Sequence, residues 1–148
     1  MQKMMVIGAV GSGKTTLCQK LHGHELIYKK TQAVEYFKQA IDTPGEFAQQ
    51  RMFYSRLMVT AADVEVIVLV QSVIQTEQIF PPLVTSMFNK PVIGIVTKID
   101  LAQSEQEIAL VRKQLELAGV EKIFQLSAVT GQGIEEFEQE LEKEVLNE

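Results

Sequence analysis

Cysteine is almost missing from this chain: Cys18 is the single one among 148 residues. A lone thiol has no intrachain partner, so no disulfide framework holds the fold, which agrees with a reducing, cytoplasmic setting. Long hydrophobic runs are missing as well. The apolar stretches are strand-length, short of the ~18 residues a membrane-spanning helix needs. Met1 to Met5 lack the apolar stretch of a secretion signal, so a cytoplasmic protein with no membrane partner is expected. Positive charge is in deficit: the formal net charge is -5, with the carboxylates concentrated towards the C-terminus. That sign opposes binding along a phosphate backbone, and nucleic acid is not an expected partner. No repeat, low-complexity tract or linker interrupts the sequence, and residues 1–148 are expected to form one domain. What the chain does have is 46% hydrophobic residues, too many for a disordered segment and enough for a sheet buried on both faces.

Four apolar runs punctuate it: Met4 to Ile7, Val64 to Val70, Val92 to Val96 and Ile123 to Leu126. The middle two are near-continuous Val and Ile, the pattern of parallel strands covered on both sides. Helical patterns separate them over Lys14 to Leu21, Phe47 to Ala62 and Ser104 to Ala118, with a last helix from about Ile134 to Leu146. Ser104 and Glu107 form a capping-box pattern, and Gly119 is the expected C-terminal stop. Ile134, Phe137, Leu141 and Val145 make an apolar stripe on the last helix. Between Pro81 and Phe88 the pattern suits a loop running into a first helical turn. Thr31 to Phe37 and Ala40 to Asp42 both look extended with almost nothing between them. Parallel neighbours need a crossover of about a dozen residues, so these two pair antiparallel if they pair at all. The expected fold is a mostly parallel α/β sheet with one antiparallel strand near its edge.

Gly8-Ala9-Val10-Gly11-Ser12-Gly13-Lys14-Thr15 matches G-x-x-x-x-G-K-[ST] directly after a strand and before a helix. In such a P-loop the glycines let backbone N–H groups turn inward around phosphates, and the helix adds its positive end. Lys14 is expected on the β- and γ-phosphates, the Thr15 hydroxyl on Mg²⁺, and Thr16 at the α-phosphate. The bland reading is a glycine-rich turn with an exposed lysine. Asp42-Thr43-Pro44-Gly45 follows at a plausible distance. Asp42 can hold the Mg²⁺ shell and Gly45 can offer its N–H to a γ-phosphate, although D-T-P-G is also a good turn sequence. Thr97-Lys98-Ile99-Asp100 follows the third apolar run. A carboxylate there can accept the N1–H and N2–H₂ of guanine, and the Lys98 stem can lie over the base. Ser127-Ala128, after the fourth run, can supply a backbone N–H near O6. The plain alternative for both is a polar strand-end loop.

The order of these four motifs resembles the translation-factor-related GTPases over nearly the whole chain. More narrowly, Tyr28-Lys29-Lys30-Thr31-Gln32-Ala33-Val34-Glu35, Ile41-Asp42-Thr43-Pro44-Gly45-Glu46, Phe80-Pro81-Pro82 and Lys90-Pro91-Val92-Ile93-Gly94-Ile95-Val96-Thr97-Lys98 resemble the EutP/PduV family. The resemblance implies a three-layer, small-GTPase-like P-loop NTPase fold that holds GTP or GDP with Mg²⁺. It places Thr31 in the first switch, closing onto Mg²⁺, where a strand-start hydroxyl is the equal alternative. It also implies an association with ethanolamine or propanediol use and bacterial microcompartments, and an acetate kinase activity that would use ATP.

Two departures from the pattern matter. Little chain separates the P-loop helix from Asp42, leaving little room for a large first switch. Glu46 stands where many regulatory GTPases carry the glutamine that orients the attacking water. Ionised Glu accepts only and is repelled by an anionic γ-phosphate, or it simply favours the next helix's N-terminus. Slow GTP hydrolysis is therefore expected, with an activating protein or a microcompartment protein as partner. The rival readings are an acetate kinase, with Arg51 as the cation for the carboxylate, and a non-enzymatic module whose nucleotide is a folding ligand. His22 and His24 suit a helix C-terminus, Cys18 suits packing, and Arg51 and Arg56 suit a solvated face.

Overall fold

The computed structural model describes residues 2–21, 26–27, 37 and 55–146. Five strands form one sheet, and every pairing among the described residues is parallel. They are β1 (Gln2–Gly8), β2 (Leu26–Ile27), β3 (Val66–Ser72), β4 (Val92–Thr97) and β5 (Lys122–Gln125), in the order β2-β1-β3-β4-β5. Helix α1 (Lys14–Lys20) follows β1. Residues 55–61 are helical (α2), α3 (Glu105–Leu117) precedes β5, and α4 (Ile134–Leu146) ends the domain.

Strand periodicity of two sends alternate side chains to opposite faces, and here both faces are apolar. Met4 and Val6 of β1 pack with Leu17 and Leu21 and with Phe137 and Leu141 of α4. Met5 and Ile7 pack on the other side with Leu57 and Ala61 of α2 and Val111 and Leu115 of α3. Continuous Val/Ile runs are what a sheet sandwiched between two helical layers requires. The outcome is the expected three-layer α/β architecture. Because the chain visits β2 on one side of β1 and β3 on the other, the order reverses between β1 and β3. The carboxyl ends of the strands there form the crevice in which such sheets bind ligands.

Several local expectations need adjusting. β3 begins at Val66 and continues into Gln71 and Ser72, both fully buried despite their polarity. β2 is too short for periodicity to reveal. Phe37, last residue of the first segment expected to be extended, has helical backbone, and its buried ring meets Phe80 edge-on with centroids 6.0 Å apart. The rest of that segment, Ala40 to Asp42 and Phe47 to Tyr54 lie outside the described residues. The turn after Pro81-Pro82 is a 3₁₀ segment, Val84–Met87, entered through Leu83 at φ 59°. Ser104 is the N-cap of α3, but its hydroxyl caps nothing. The return half does not form either: the Glu107 carboxylate reaches one residue further back and accepts the Gln103 amide at 2.9 Å. Gly119 follows the end of α3 at φ 103°, and α4 has the bounds its apolar stripe suggested.

Candidate functional site

The loop between β1 and α1 is shaped by what touches its outside. At Gly8 a Cβ would lie 2.8 Å from the Val70 carbonyl of β3, a backbone atom that cannot yield. At Gly13, φ is 94°, a left-handed backbone that glycine adopts without strain and other residues do not. Each carbonyl from Gly8 to Gly13 is held by a donor. The Lys14 ammonium donates to Gly8, the Ser12 amide to Ala9 at 3.0 Å, and the Gln75 carboxamide to Val10 at 3.2 Å. The Lys98 ammonium donates to Gly11 at 2.7 Å, the Thr97 hydroxyl to Ser12, and the Leu17 amide to Gly13 at 2.9 Å. In a trans peptide C=O and N–H point opposite ways, so the Val10 and Ser12 carbonyls, drawn to Gln75 and Thr97, turn the amides of Gly11 and Gly13 the other way. That is the chemistry of an anion cradle. Ser12 shapes the loop without offering its amide to the cradle, since that amide goes to Ala9, and its hydroxyl is buried over Gly8 with no hydrogen-bond partner.

Beside the cradle a cavity of about 300 Å³ opens, lined by Gly13, Thr16, Thr97, Lys98, Asp100 and Ala128, with apolar walls from Leu17, Leu126 and Ile134. Three segments distant in sequence thus meet around one mostly apolar cavity, the usual character of a small-molecule site. Lys98 has φ 58°, a left-handed backbone costing roughly 1–2 kcal/mol in a non-glycine residue. Its bond to the Gly11 carbonyl offsets that cost and carries its stem across to the loop. Asp100 is oriented from behind, since the Ser127 hydroxyl donates to its Oδ1 at 2.8 Å while accepting the Thr130 amide at 3.1 Å. The Ser127 amide is taken by the Gln132 carbonyl at 3.1 Å. Of that dipeptide, Ala128 is therefore the residue that faces the cavity.

The structure thus brings together Gly8, Gly11, Ser12, Gly13, Lys14 and Thr16 with Thr97, Lys98, Asp100, Ser127 and Ala128. Thr15, in the first turn of α1, is exposed and free to ligate a cation beside the cradle. Thr31, Asp42, Gly45, Glu46, Arg51, His22 and His24 lie outside the described residues, and with them two of the three expected Mg²⁺ ligands. Among the described residues no group of three or more His, Cys, Asp or Glu could hold a metal, and no helix is long and apolar enough to cross a membrane. Arg56 is exposed on α2. Cys18 is half-buried, packed against the cluster on the α1 and α4 side of the sheet, and that burial pushes its thiol pKa up. Sequence reasoning passed over Leu17, Leu126 and Ile134, whose spacing reads as ordinary core, and Gln75, which no motif marks.

Known proteins resemble this chain to different depths. Among the solved structures that match at the level of fold are an elongation factor and the G domain of a transporter. The chain superimposes on translation elongation factor SelB from Methanococcus maripaludis with a TM-score of 0.64 at 18% identity. The match covers 99% of this chain and 33% of that one, so it spans about a third of the factor's length. For the G domain of the T. maritima FeoB iron transporter the TM-score is 0.58 at 21% identity, covering 98% of this chain and 99% of that one. Sequence relatives are nearer. The propanediol utilization protein PduV of Citrobacter freundii is 43% identical across 92% of this chain and 90% of its own length. The probable acetate kinase EutP of Escherichia coli (strain K12) is 33% identical across 92% and 86%. The model of the PduV-EutP family, described as ethanolamine utilisation - propanediol utilisation, matches residues 1–143. Its span takes in the glycine-rich loop, the cavity beside it and the strands that set them side by side, and this chain belongs to the PduV-EutP family.

Proposed function

We propose that this protein binds a guanine nucleotide with Mg²⁺ and hydrolyses GTP slowly, in the cytoplasm, serving ethanolamine or propanediol utilisation in a bacterial microcompartment system. One observation carries the reading: the outward-held phosphate loop opens onto a single cavity shared by Gly13, Thr16, Lys98, Asp100 and Ala128. The names of the relatives support the metabolic setting. Phosphoryl transfer needs little covalent chemistry from a protein beyond positioning and charge stabilisation. The Lys14 ammonium would move from the Gly8 carbonyl to the β- and γ-phosphates. Thr15, with Thr31 and Asp42, would hold Mg²⁺, which neutralises charge on the phosphoryl oxygens. Gly45 would offer its N–H to the γ-phosphate. Glu46, an acceptor where a water-orienting amide would serve better, supports a slow reaction and an activating protein partner.

Asp100 decides the base. A carboxylate facing two donors gains about 1.5–3 kcal/mol from each charged hydrogen bond, so GDP should outcompete ADP by roughly a hundredfold to ten-thousandfold. Asp100→Asn should move preference towards XDP, whose C2 carbonyl accepts from the amide. Equal affinity for GDP and ADP, with no XDP gain in the variant, rejects guanine recognition.

A second reading, ATP-dependent phosphoryl transfer to acetate, draws support from the relatives named probable acetate kinase and from a cavity of about 400 Å³ beside the phosphate loop. That cavity is lined by Ala9 and the turn Ile74 to Ile79. Its described lining holds Glu77 and no cation, which disfavours a carboxylate there. Hydroxylamine trapping of acetyl phosphate from protein, Mg-triphosphate and acetate tests it. Triphosphate consumption without any trapped acyl group removes it.

A further inference from the structure

Behind the phosphate loop four glutamines, Gln71, Gln75, Gln78 and Gln114, form a network that nucleotide binding as described leaves unused. Gln75 sits in the turn after β3 and is engaged at both ends of its carboxamide. Its Oε1 accepts the Ser72 amide at 3.1 Å, and its Nε2 donates to the Val10 carbonyl at 3.2 Å. One partner is a donor and the other an acceptor, so the orientation of the carboxamide is fixed by chemistry. Ser72 ends a fully buried strand, whereas Val10 is 97% exposed. Gln75 therefore spans from a rigid strand end to a loop crest that has no packing of its own.

The crest needs such a restraint. Gly11 has φ 81°, and nothing lies within 4 Å of where its Cβ would be, so sterics do little to prevent the Val10–Gly11 peptide from rotating. Drawing the Val10 carbonyl outward aims the Gly11 N–H inward. The turn bearing Gln75 is itself pinned. The buried Gln71 carboxamide donates to the Gln75 carbonyl at 2.7 Å and to Gln114 Oε1 at 2.7 Å. Gln114, on α3, donates to the Thr76 carbonyl, and Gln78 donates to the carbonyls of Phe80 and Gln114 at 2.8 and 3.2 Å.

We infer that Gln75 is a positioning residue of the phosphate loop: its Nε2 holds the Val10–Gly11 peptide in the orientation that presents the Gly11 N–H to a phosphate oxygen, with Gln71 of β3 and Gln114 of α3 bracing the turn. The consequence for binding rests on the nucleotide reading; the restraint itself does not.

Two variants separate the two ends of the carboxamide. Gln75→Glu keeps the acceptor for Ser72, loses the donor and sets a carboxylate oxygen against the Val10 carbonyl. Gln75→Met loses both and keeps the length. In nucleotide-free protein, ¹⁵N relaxation should show the Gly11 amide passing in both variants from the ordered range, S² about 0.85, to below about 0.6. Gly131, a loop glycine at φ 81° far from the turn, should not change. GDP release, followed by displacement of a fluorescent GDP, should be at least tenfold faster in both, with the nucleotide-free unfolding midpoint unchanged. Gln114→Leu should give a smaller effect of the same kind. A Gln75→Glu protein with wild-type Gly11 dynamics and wild-type release overturns the inference, even if Gln75→Met is fast, because the Ser72 contact alone would then explain it. If the wild type binds no nucleotide, that reading fails and the relaxation comparison alone decides this one.

Discussion

Two lysines hold the phosphate loop from opposite ends. Lys14, inside the motif, rests its ammonium on the Gly8 carbonyl, while Lys98 reaches Gly11 from the end of β4. The first is expected to engage phosphate when a triphosphate binds, and charge-assisted contacts of that kind are the strong ones. Lys14→Ala should therefore weaken triphosphate binding by about 3 kcal/mol, over a hundredfold, in a protein whose thermal unfolding stays cooperative. Titration with a fluorescent GTP analogue measures it. Affinity within threefold of wild type would leave the cradle without its cation and the reading without support. The motif residues themselves were legible, because a glycine-rich loop after a strand has few other uses. What Thr97 does was not. From the sequence it is the first residue of a polar strand-end motif. In the fold its hydroxyl donates to the Ser12 carbonyl across 85 positions of sequence, and no spacing rule reaches that far.

The helices and strands divide by how strongly their periodicity speaks. α4 was read to its residue limits because Ile134, Phe137 and Leu141 recur at helical spacing, and Phe137 and Leu141 are buried as that spacing requires. β2 was missed because two residues carry no period, and the polar end of β3 was missed because Gln71 and Ser72 look like a loop until their partners are known. One contact between elements has a definite pH signature. Lys122 of β5 forms ion pairs with Glu140 and Glu144, one turn apart on α4. The hydrogen bond to Glu140, then that to Glu144, pushes the Lys122 ammonium up to about 12, and the Lys122 bond holds the Glu140 carboxyl below its ordinary range. A depressed carboxylate stabilises the fold at neutral pH and loses that contribution as pH falls through its folded value. A raised ammonium contributes fully below its unfolded value, near 10.5, and loses that as pH climbs through about 12. Lys122→Met should therefore lower the unfolding midpoint most near pH 7 and least near pH 3, with the gap narrowing in high salt. A gap independent of pH and salt would assign the effect to packing alone.

Taken whole, the domain closes its ligand site with segments from both ends of the sequence: the loop after β1, the strand end of β4 and the turn after β5. Anything bound there ties those segments together and is lost on unfolding. A nucleotide at a hundred times its dissociation constant should add about 2.7 kcal/mol, which for a domain of this size raises the midpoint by roughly 5–10 °C. Differential scanning fluorimetry with GDP and Mg²⁺ reads this directly. Absence of any shift at saturating GDP would mean that the site does not bridge its three segments. The alternation of strand and helix that builds this arrangement was plain in the sequence, since buried parallel strands read as unbroken apolar runs. The meeting of Gly13, Asp100 and Ala128 around one cavity follows from strand order, which local patterns do not encode.

The near absence of cysteine has a practical consequence. Cys18 is the single sulfhydryl of the chain, half-covered on the helix that leaves the phosphate loop, and its raised pKa leaves little reactive thiolate near neutrality. Alkylation by a maleimide is then a clock for excursions in which α1 lifts from the sheet, and it runs on the natural protein with no engineered label. GDP should slow that clock, because a ligand held by the loop damps the opening of the helix that follows it. A labelling rate indifferent to GDP would place the yielding part of the molecule somewhere other than α1.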